Sequence, residues 1–417
     1  KGRNEQLRKI EQATLTPGRH VFIFGERGVG KTSLAKTAGL DAARSREHFK
    51  QIGCAAGTSF EEIIRQVIAT YGSDTVAKVE KSKGWSFSLQ GIGFEKRRVE
   101  STEAPILTVS TAADVLASLD EQDPFGDQRV FVIDEMDKLS DAHVRTSFAD
   151  LIKLIGDRAC RMTLIFTGVG RDFQEILGHH PSSYRHLLQI PLERLEYYAA
   201  LDIIDDVLDR FDLDWEVEPT RTARFRVADM ANGFPYYVHL VVEKLLQAVY
   251  EDDQADAVTN THLISAIETA VQDVEEVIRA PYDRAVSGRS SHIRIAIWAA
   301  ADSWALERSA SQIYASYNSI CRHLNEPALD SRKFNALLTR LRKPTHGSIL
   351  KPGMRRGLYE FTENITRGYV RLRAAAEGIE LSHAQYADAA PVVTARVRER
   401  RYVDPRRIGG EPSTLRR

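Results

Sequence analysis

The run Gly25-Glu26-Arg27-Gly28-Val29-Gly30-Lys31-Thr32 constrains this chain more than any other segment of its length. Its spacing is G-x-x-x-x-G-K-T. It follows the apolar stretch Val21-Phe22-Ile23-Phe24 and leads through Ser33-Leu34-Ala35-Lys36 into a helix-forming segment. Strand, glycine loop and helix in that order make a phosphate cradle. The glycines let backbone N–H groups turn inward, and the helix N-terminus adds partial positive charge. Lys31 is placed to reach the β- and γ-phosphates, and the Thr32 hydroxyl to hold Mg²⁺. The expectation is an α/β fold with a nucleoside-triphosphate site, in which Gly25, Glu26, Arg27, Gly28, Val29, Gly30, Lys31, Thr32 and Ser33 surround the phosphates.

A second apolar run, Val130-Phe131-Val132-Ile133, ends in Asp134-Glu135. Four uninterrupted apolar residues predict a strand buried on both faces, as in a parallel sheet covered by helices. Carboxylates at the C-terminal end of such a strand lie beside the ligand crevice. Asp134 is expected to orient Mg²⁺ and its waters, and Glu135 to polarise an attacking water, which favours hydrolysis over binding alone. A third run, Met162-Thr163-Leu164-Ile165-Phe166, ends in Thr167-Gly168. Thr167 has two readings: contact with the γ-phosphate or the attacking water, or simple strand termination. A further strand is expected over Leu187–Leu192, after Pro181-Ser182-Ser183-Tyr184-Arg185.

In this order the elements resemble the AAA+ ATPases, specifically the initiator-like branch of origin-recognition and helicase-loading proteins, over roughly residues 2–285. The resemblance implies a P-loop AAA+ parallel-sheet core with an α-helical lid, ATP as the nucleotide, and hydrolysis to ADP and phosphate in a homo-oligomer. It sets Gly2-Arg3-x-x-Gln6-Leu7 against adenine. It puts Thr167 at the sensor-1 position, where many relatives carry Asn. It puts Arg185 where an arginine finger points into the neighbouring subunit's γ-phosphate, with Arg194 and Arg171 as rivals and a plain surface arginine as the alternative. An arginine supplied in this way contributes about 10³–10⁵ in rate.

The chain departs from the initiator pattern after an expected helix near 196–210. There it reads Ala231-Asn232-Gly233-Phe234-Pro235, a Gly-x-Pro motif similar to the signalling ATPases of the STAND class. Proline at a first helical position is preorganised, so Pro235 would close a lid without supplying a cation. His239, on an apolar helix face, is expected in the core.

Ser59-x-x-Glu62 announces a helix near 59–71. Lys78, Lys81 and Lys83 then precede Trp85-Ser86-Phe87-Ser88-Leu89-Gln90-Gly91-Ile92-Gly93-Phe94, whose alternation predicts a half-exposed strand or hairpin. Lys96, Arg97 and Arg98 close it. Such an insertion suits either a phosphate backbone or packing on its own subunit or a partner protein.

Past Pro281 the pattern changes. Ile293, Ala296, Ile297 and Ala300 form one helical stripe, and Ser309 to His323 a second helix. Asp330-Ser331 caps a third helix carrying Phe334, Leu337, Leu338 and Leu341. A glycine-bearing turn at 345–350, the segment Gly357-Leu358-Tyr359-Glu360-Phe361 and a last helix over 364–376 follow. Three helices and two short strands describe a winged helix. Between Ser331 and Tyr359 stand Arg332, Lys333, Arg340, Arg342, Lys343, Lys351, Arg355 and Arg356 with no acid, in a chain whose formal charge is −1. That asymmetry points to double-stranded DNA, with the third helix in the major groove and the wing on phosphate. Winged helices that dock proteins are the alternative. The expected domains are a core over 1–195 with the hairpin near 84–98, a lid over 196–285, a winged helix over 286–378 and a basic tail over 379–417. That tail carries Arg396, Arg398, Arg400 and Arg401 and reads as a solvated arm.

At 417 residues the chain exceeds one ordinary core. No apolar run approaches the roughly 20 residues of a membrane helix, and no signal-peptide pattern opens it. A start at Lys1 rather than Met implies trimmed sequence. Cys54, Cys160 and Cys321 are too far apart for a metal knuckle, and the odd count fits a reducing cytoplasm. No nuclease, protease or deaminase constellation is visible. The expected function is therefore an ATP-hydrolysing, DNA-binding AAA+ protein that works in replication, transposition or mobile-element and phage defence, with a separate effector protein. A STAND-like nucleotide switch and an ATPase adaptor with a protein-binding winged helix are the alternatives.

Overall fold

The computed structural model describes residues 1–43, 45–83, 107–123, 128–170, 181–253, 255 and 257–381. The expected hairpin at Trp85–Phe94 with Lys96, Arg97 and Arg98, the rival Arg171, and the arginines beyond 381 lie outside them. The chain divides into two compact units, Lys1–Asp273 and Val274–Arg417.

The first unit runs α1 (Asn4–Thr14), β1 (His20–Gly25), α2 (Lys31–Ala42), β2 (Phe49–Gly53), α3 (Phe60–Ile68), α4 (Ser73–Lys83), α5 (Val109–Gln122), β3 (Val130–Asp134), α6 (Ala142–Asp157), β4 (Thr163–Val169) and β5 (Leu187–Pro191). Helices α7 (Tyr197–Arg210), α8 (Thr220–Ala231), α9 (Pro235–Tyr250) and α10 (Asn260–Asp273) follow. The strands form one parallel sheet in the order β2-β3-β4-β1-β5. All five residues of β3 are buried, as an apolar strand covered on both faces must be. In α3, Ser59 accepts from Glu62 N at 3.1 Å, and Phe60, Ile63, Ile64, Val67 and Ile68 are buried at helical spacing. Phe148 of α6 meets Phe60 and Phe166 edge-on, with centroids 5.0 and 5.9 Å apart. Emptying such a position by Phe→Ala costs about 3–5 kcal/mol.

Register fixes what meets at the sheet's C-terminal edge. Ile23 and Phe24 of β1 lie opposite Thr167 and Gly168 of β4, and Gly53 of β2 opposite Asp134 of β3. β1 sits between β4 and β5, so its exit loop opens where the connections diverge, the usual place for a ligand in such a sheet.

The second unit runs α11 (Glu276–Val286), α12 (Ser291–Ala301), β6 (Arg308–Ser309), α13 (Ala310–His323), α14 (Ser331–Leu341), β7 (Leu350–Pro352), β8 (Leu358–Phe361) and α15 (Asn364–Ala376). α11, expected within the lid, belongs here; its Tyr282 meets Tyr369 of α15 edge-on, with centroids 5.6 Å apart. A third strand joins the two expected ones. β6 pairs with β8 through Arg308↔Tyr359, giving an antiparallel sheet in the order β6-β8-β7. Two residues between a loop and a capping box at Ser309/Gln312 leave too short a run for alternation to reveal. Tyr314, Tyr317 and Phe334 join α13 to α14.

Candidate functional site

β1 feeds the glycine loop through a narrow gap. A Cβ on Gly25 would lie 2.2 Å from the Leu192 carbonyl oxygen, and Leu192 N donates to Phe24 O at 2.7 Å. Gly28 and Gly30 take φ of 79° and 94°, a region L side chains rarely adopt. Arg27, Gly28, Val29, Gly30, Lys31, Thr32 and Ser33 line a cavity of about 430 Å³ together with Arg3, Glu135, Thr167 and Pro235. That volume lies within the range of small-molecule sites. Gly25 and Glu26 supply carbonyls instead: Lys31 Nζ donates to Gly25 O at 3.0 Å and to Glu26 O at 2.7 Å. Burial pushes the Lys31 pKa down to about 8, against the pull of Asp137 and Asp134.

Asp134 is buried behind the cavity and held at both oxygens. Oδ1 accepts from Thr32 Oγ1 at 3.0 Å and from Thr167 Oγ1, and Oδ2 accepts from Gln51 Nε2 at 2.9 Å. Thr167 Oγ1 also accepts from Glu135 N at 3.0 Å. Its single proton therefore goes to Asp134, and the hydroxyl fixes both carboxylate residues while lining the cavity. Glu135 has φ 62°, a left-handed backbone that costs a non-glycine residue about 1–3 kcal/mol and tends to occur at functional sites. The turn is secured by Lys138 N on Glu135 O at 2.9 Å and Val169 N on Asp137 Oδ1 at 2.7 Å. The half-exposed Glu135 carboxylate meets Lys138 Nζ at 2.6 Å.

The hydroxyl of Thr32 and the carboxylate of Asp134 are hard oxygen donors of the kind Mg²⁺ takes. Among the described residues no group of three or more His, Cys, Asp or Glu could hold a metal ion unaided. A cation at Thr32 and Asp134 would thus complete its shell with phosphate and water oxygens, which fits a triphosphate site.

Arg3 Nη2 donates to Val29 O at 3.3 Å and to Glu193 O at 2.5 Å, tying the glycine loop to the segment after β5. Pro235 starts α9, and its Cγ lies 3.7 Å from where a Cβ on Gly30 would stand. Its turn is pinned from the same segment: Leu195 N donates to Gly233 O at 2.7 Å and Arg194 Nη1 to Asn232 O at 3.1 Å. Arg185 stands apart from the cavity, exposed, with Nη2 3.1 Å from Asp157 Oδ1. His239, expected in the core, is exposed and lines the cavity, because α9 turns that face outward while Val238, Val241 and Val242 face inward. Gln51, Lys138 and Tyr236 escaped the sequence reading. A glutamine in the short run Phe49-Lys50-Gln51-Ile52 carries no motif; only its register beside β3 shows its use.

In the second unit α14 buries Phe334, Leu337, Leu338 and Leu341 and turns Arg332, Lys333 and Arg340 to solvent; Asp330 Oδ1 accepts from Lys333 N at 2.9 Å as its cap. Arg342, Lys343, Arg355 and Arg356 are also exposed. Lys351 differs, with Nζ 3.2 Å from Glu360 Oε1, the residue opposite it in β8.

Residues 15–177 match the family model described as "AAA domain". The first unit has the P-loop AAA+ fold. No curated protein matches the sequence. Among solved structures, the chain is similar to the ORC2 protein of Aeropyrum pernix (13% identity, TM-score 0.47, 90% of this chain and 94% of that one). It is also similar to Cdc6p of Pyrobaculum aerophilum (16%, 0.40, 90% and 94%) and to a RuvB mutant from Thermotoga maritima (13%, 0.42, 91% and 96%). Likeness at that level says nothing of function. Among the described residues no helix is long and apolar enough to cross a membrane, and Cys54, Cys160 and Cys321 are free and buried.

Proposed function

We propose that this chain binds ATP with Mg²⁺ and hydrolyses it to ADP and phosphate in a homo-oligomer, and that its second unit is a winged helix bound to double-stranded DNA. The observation that carries the enzymatic part is the shared hold on Asp134, which joins the glycine loop, β2, β3 and β4 at one carboxylate. Lys31 and the loop N–H groups hold the phosphates. Thr32 and Asp134 would hold the cation, which supplies charge neutralisation at the phosphates when bound. Glu135 takes a proton from the attacking water, held in place by Thr167 and by the strained turn. Helices α7 to α10 act as the lid, and Arg185, exposed at the sheet edge, serves the next subunit's γ-phosphate. The basic face of α14 lies in the major groove. Replication, transposition or mobile-element and phage defence, with a separate effector, is the setting.

A second reading, a STAND-like switch, draws on the closeness of Pro235 to Gly30, its Cγ lying 3.7 Å from where a Cβ on Gly30 would stand, which would let the lid helix sense the loop. Turnover per subunit that rises with protein concentration favours the trans-acting ATPase; turnover independent of concentration favours the switch. For the site itself, Lys31→Ala should abolish ATP binding. Glu135→Gln should keep binding and lower turnover about 10²–10⁴-fold, the range of a positioned general base. Turnover that survives Glu135→Gln assigns the proton to another group.

A further inference from the structure

The turn between β7 and β8 carries a side chain that the fold does not use. Met354 is 93% exposed, the most exposed large hydrophobic side chain among the described residues. An isolated exposed apolar residue needs no explanation, but this one sits at the tip of a stiffened turn and is followed directly by two exposed arginines. Met354 N donates to Glu307 Oε1 at 2.6 Å, Gly353 N to Leu358 O at 2.9 Å, and Leu358 N to Arg355 O at 3.1 Å. A Cβ on Gly353 would come within 2.8 Å of Leu358 Cβ, and Gly357 takes φ 86°, so both glycines serve this one backbone path. Arg355 and Arg356 follow Met354 and are exposed. Glu307 is the acid beside the tip, and its Oε1 is occupied by the Met354 amide.

We propose that this tip is a minor-groove wedge, with Met354 inserting at a base step of duplex DNA while Arg355 and Arg356 lie along the groove. The inference rests on the DNA reading above and extends it from a charged face to an apolar contact. Methionine is among the side chains that wedge between base pairs and kink a duplex. A turn already held in shape loses little freedom on insertion. The flanking arginines select a polyanion over an apolar protein groove, the other surface that an exposed methionine suits.

The test uses the full chain and a short duplex with 2-aminopurine at a central pyrimidine–purine step, the step that unstacks most easily. Binding should raise the probe's fluorescence. Met354→Ala should remove that rise and weaken binding about 10- to 100-fold, on the scale of one buried apolar side chain, with the salt dependence unchanged. Met354→Leu should restore both. Arg355→Ala should instead lower the log–log salt slope by about 0.9. Wild-type fluorescence and affinity in Met354→Ala would overturn the wedge. Duplex binding that depends on Arg340 but gives no rise would overturn it equally and leave the DNA reading standing. A wild-type chain that binds no duplex would remove the DNA reading and the wedge together, and assign the tip to a protein partner.

Discussion

The glycine-loop cavity and the basic face of the second unit are both built from polar side chains, and they are built in opposite ways. Around Asp134 the partners come from distant sequence: Thr32, Gln51 and Thr167 converge on one carboxylate in a buried setting. On the basic face most side chains stand apart from one another, and the ion pairs join single partners: Lys333 with Asp330 three residues away at 3.5 Å, and Lys351 with Glu360 across the β7–β8 ladder. The first arrangement gains strength from low dielectric and shared partners. The second acts through summed charge in water, where each unit contributes separately and salt screens it. Interlocked chemistry tolerates few changes, whereas a charged face degrades by steps.

That contrast can be broken by mutant cycles. Thr167→Val and Gln51→Leu should each lower ATP turnover about 10–100-fold, as supporting partners of metal ligands do. Their double mutant should depart from the sum by about 0.5–3 kcal/mol, because both act on Asp134. Arg332→Ala and Arg340→Ala lie eight residues apart along α14, about 12 Å, and their effects on duplex affinity should add within about 0.5 kcal/mol. Additivity at Asp134, or strong coupling along α14, would reverse the comparison. The next effect is a pH dependence confined to the cavity. In the free protein burial holds the Lys31 pKa near 8; a bound triphosphate raises it. Below pH 8 the ammonium is present in both states, so affinity is flat there. Above it, binding takes up a proton, and ATP affinity should fall by up to about tenfold per pH unit until the bound-state pKa is reached. Calorimetry in buffers of different ionisation enthalpy reads that proton directly, and Lys31→Arg should remove the slope. An affinity that rises with pH would contradict the assignment.

The same contrast explains what was legible in the sequence. The glycine loop, the β3 carboxylates and the α14 stripe are local patterns, so spacing alone located them. Pro235 was visible because a proline at a helix start is itself a local signal, yet its proximity to Gly30 was not. Gln51 and the double duty of Thr167 depend on the order β2-β3-β4-β1, which brings together strands far apart in the chain. His239 was misjudged because an apolar helix of 16 residues still has an outer face, and only packing says which one. On the second unit, β6 was too short to carry a period, and the missing acid between Ser331 and Tyr359 concealed Glu360, one residue beyond the window but directly across the ladder from Lys351.

That pairing leads to the smallest expected effect and the sharpest test of the charged face. Lys351 and Glu360 are only 35% and 18% exposed and meet at 3.2 Å, so the ammonium is already neutralised where it stands. To reach a phosphate it would have to leave a carboxylate that cannot follow. Lys351→Ala should therefore leave the salt slope of DNA binding unchanged, whereas Arg340→Ala lowers it by about 0.9. The cost of Lys351→Ala should appear in stability instead, at about 0.2–1 kcal/mol, the value of a cross-strand opposite-charge pair, read as a lower denaturation midpoint. Glu360→Gln releases Lys351 and should steepen the salt slope. If Lys351→Ala flattens the slope as much as Arg340→Ala does, the ion pair opens on binding, and the wing grips the backbone with a cation that the free fold holds in reserve.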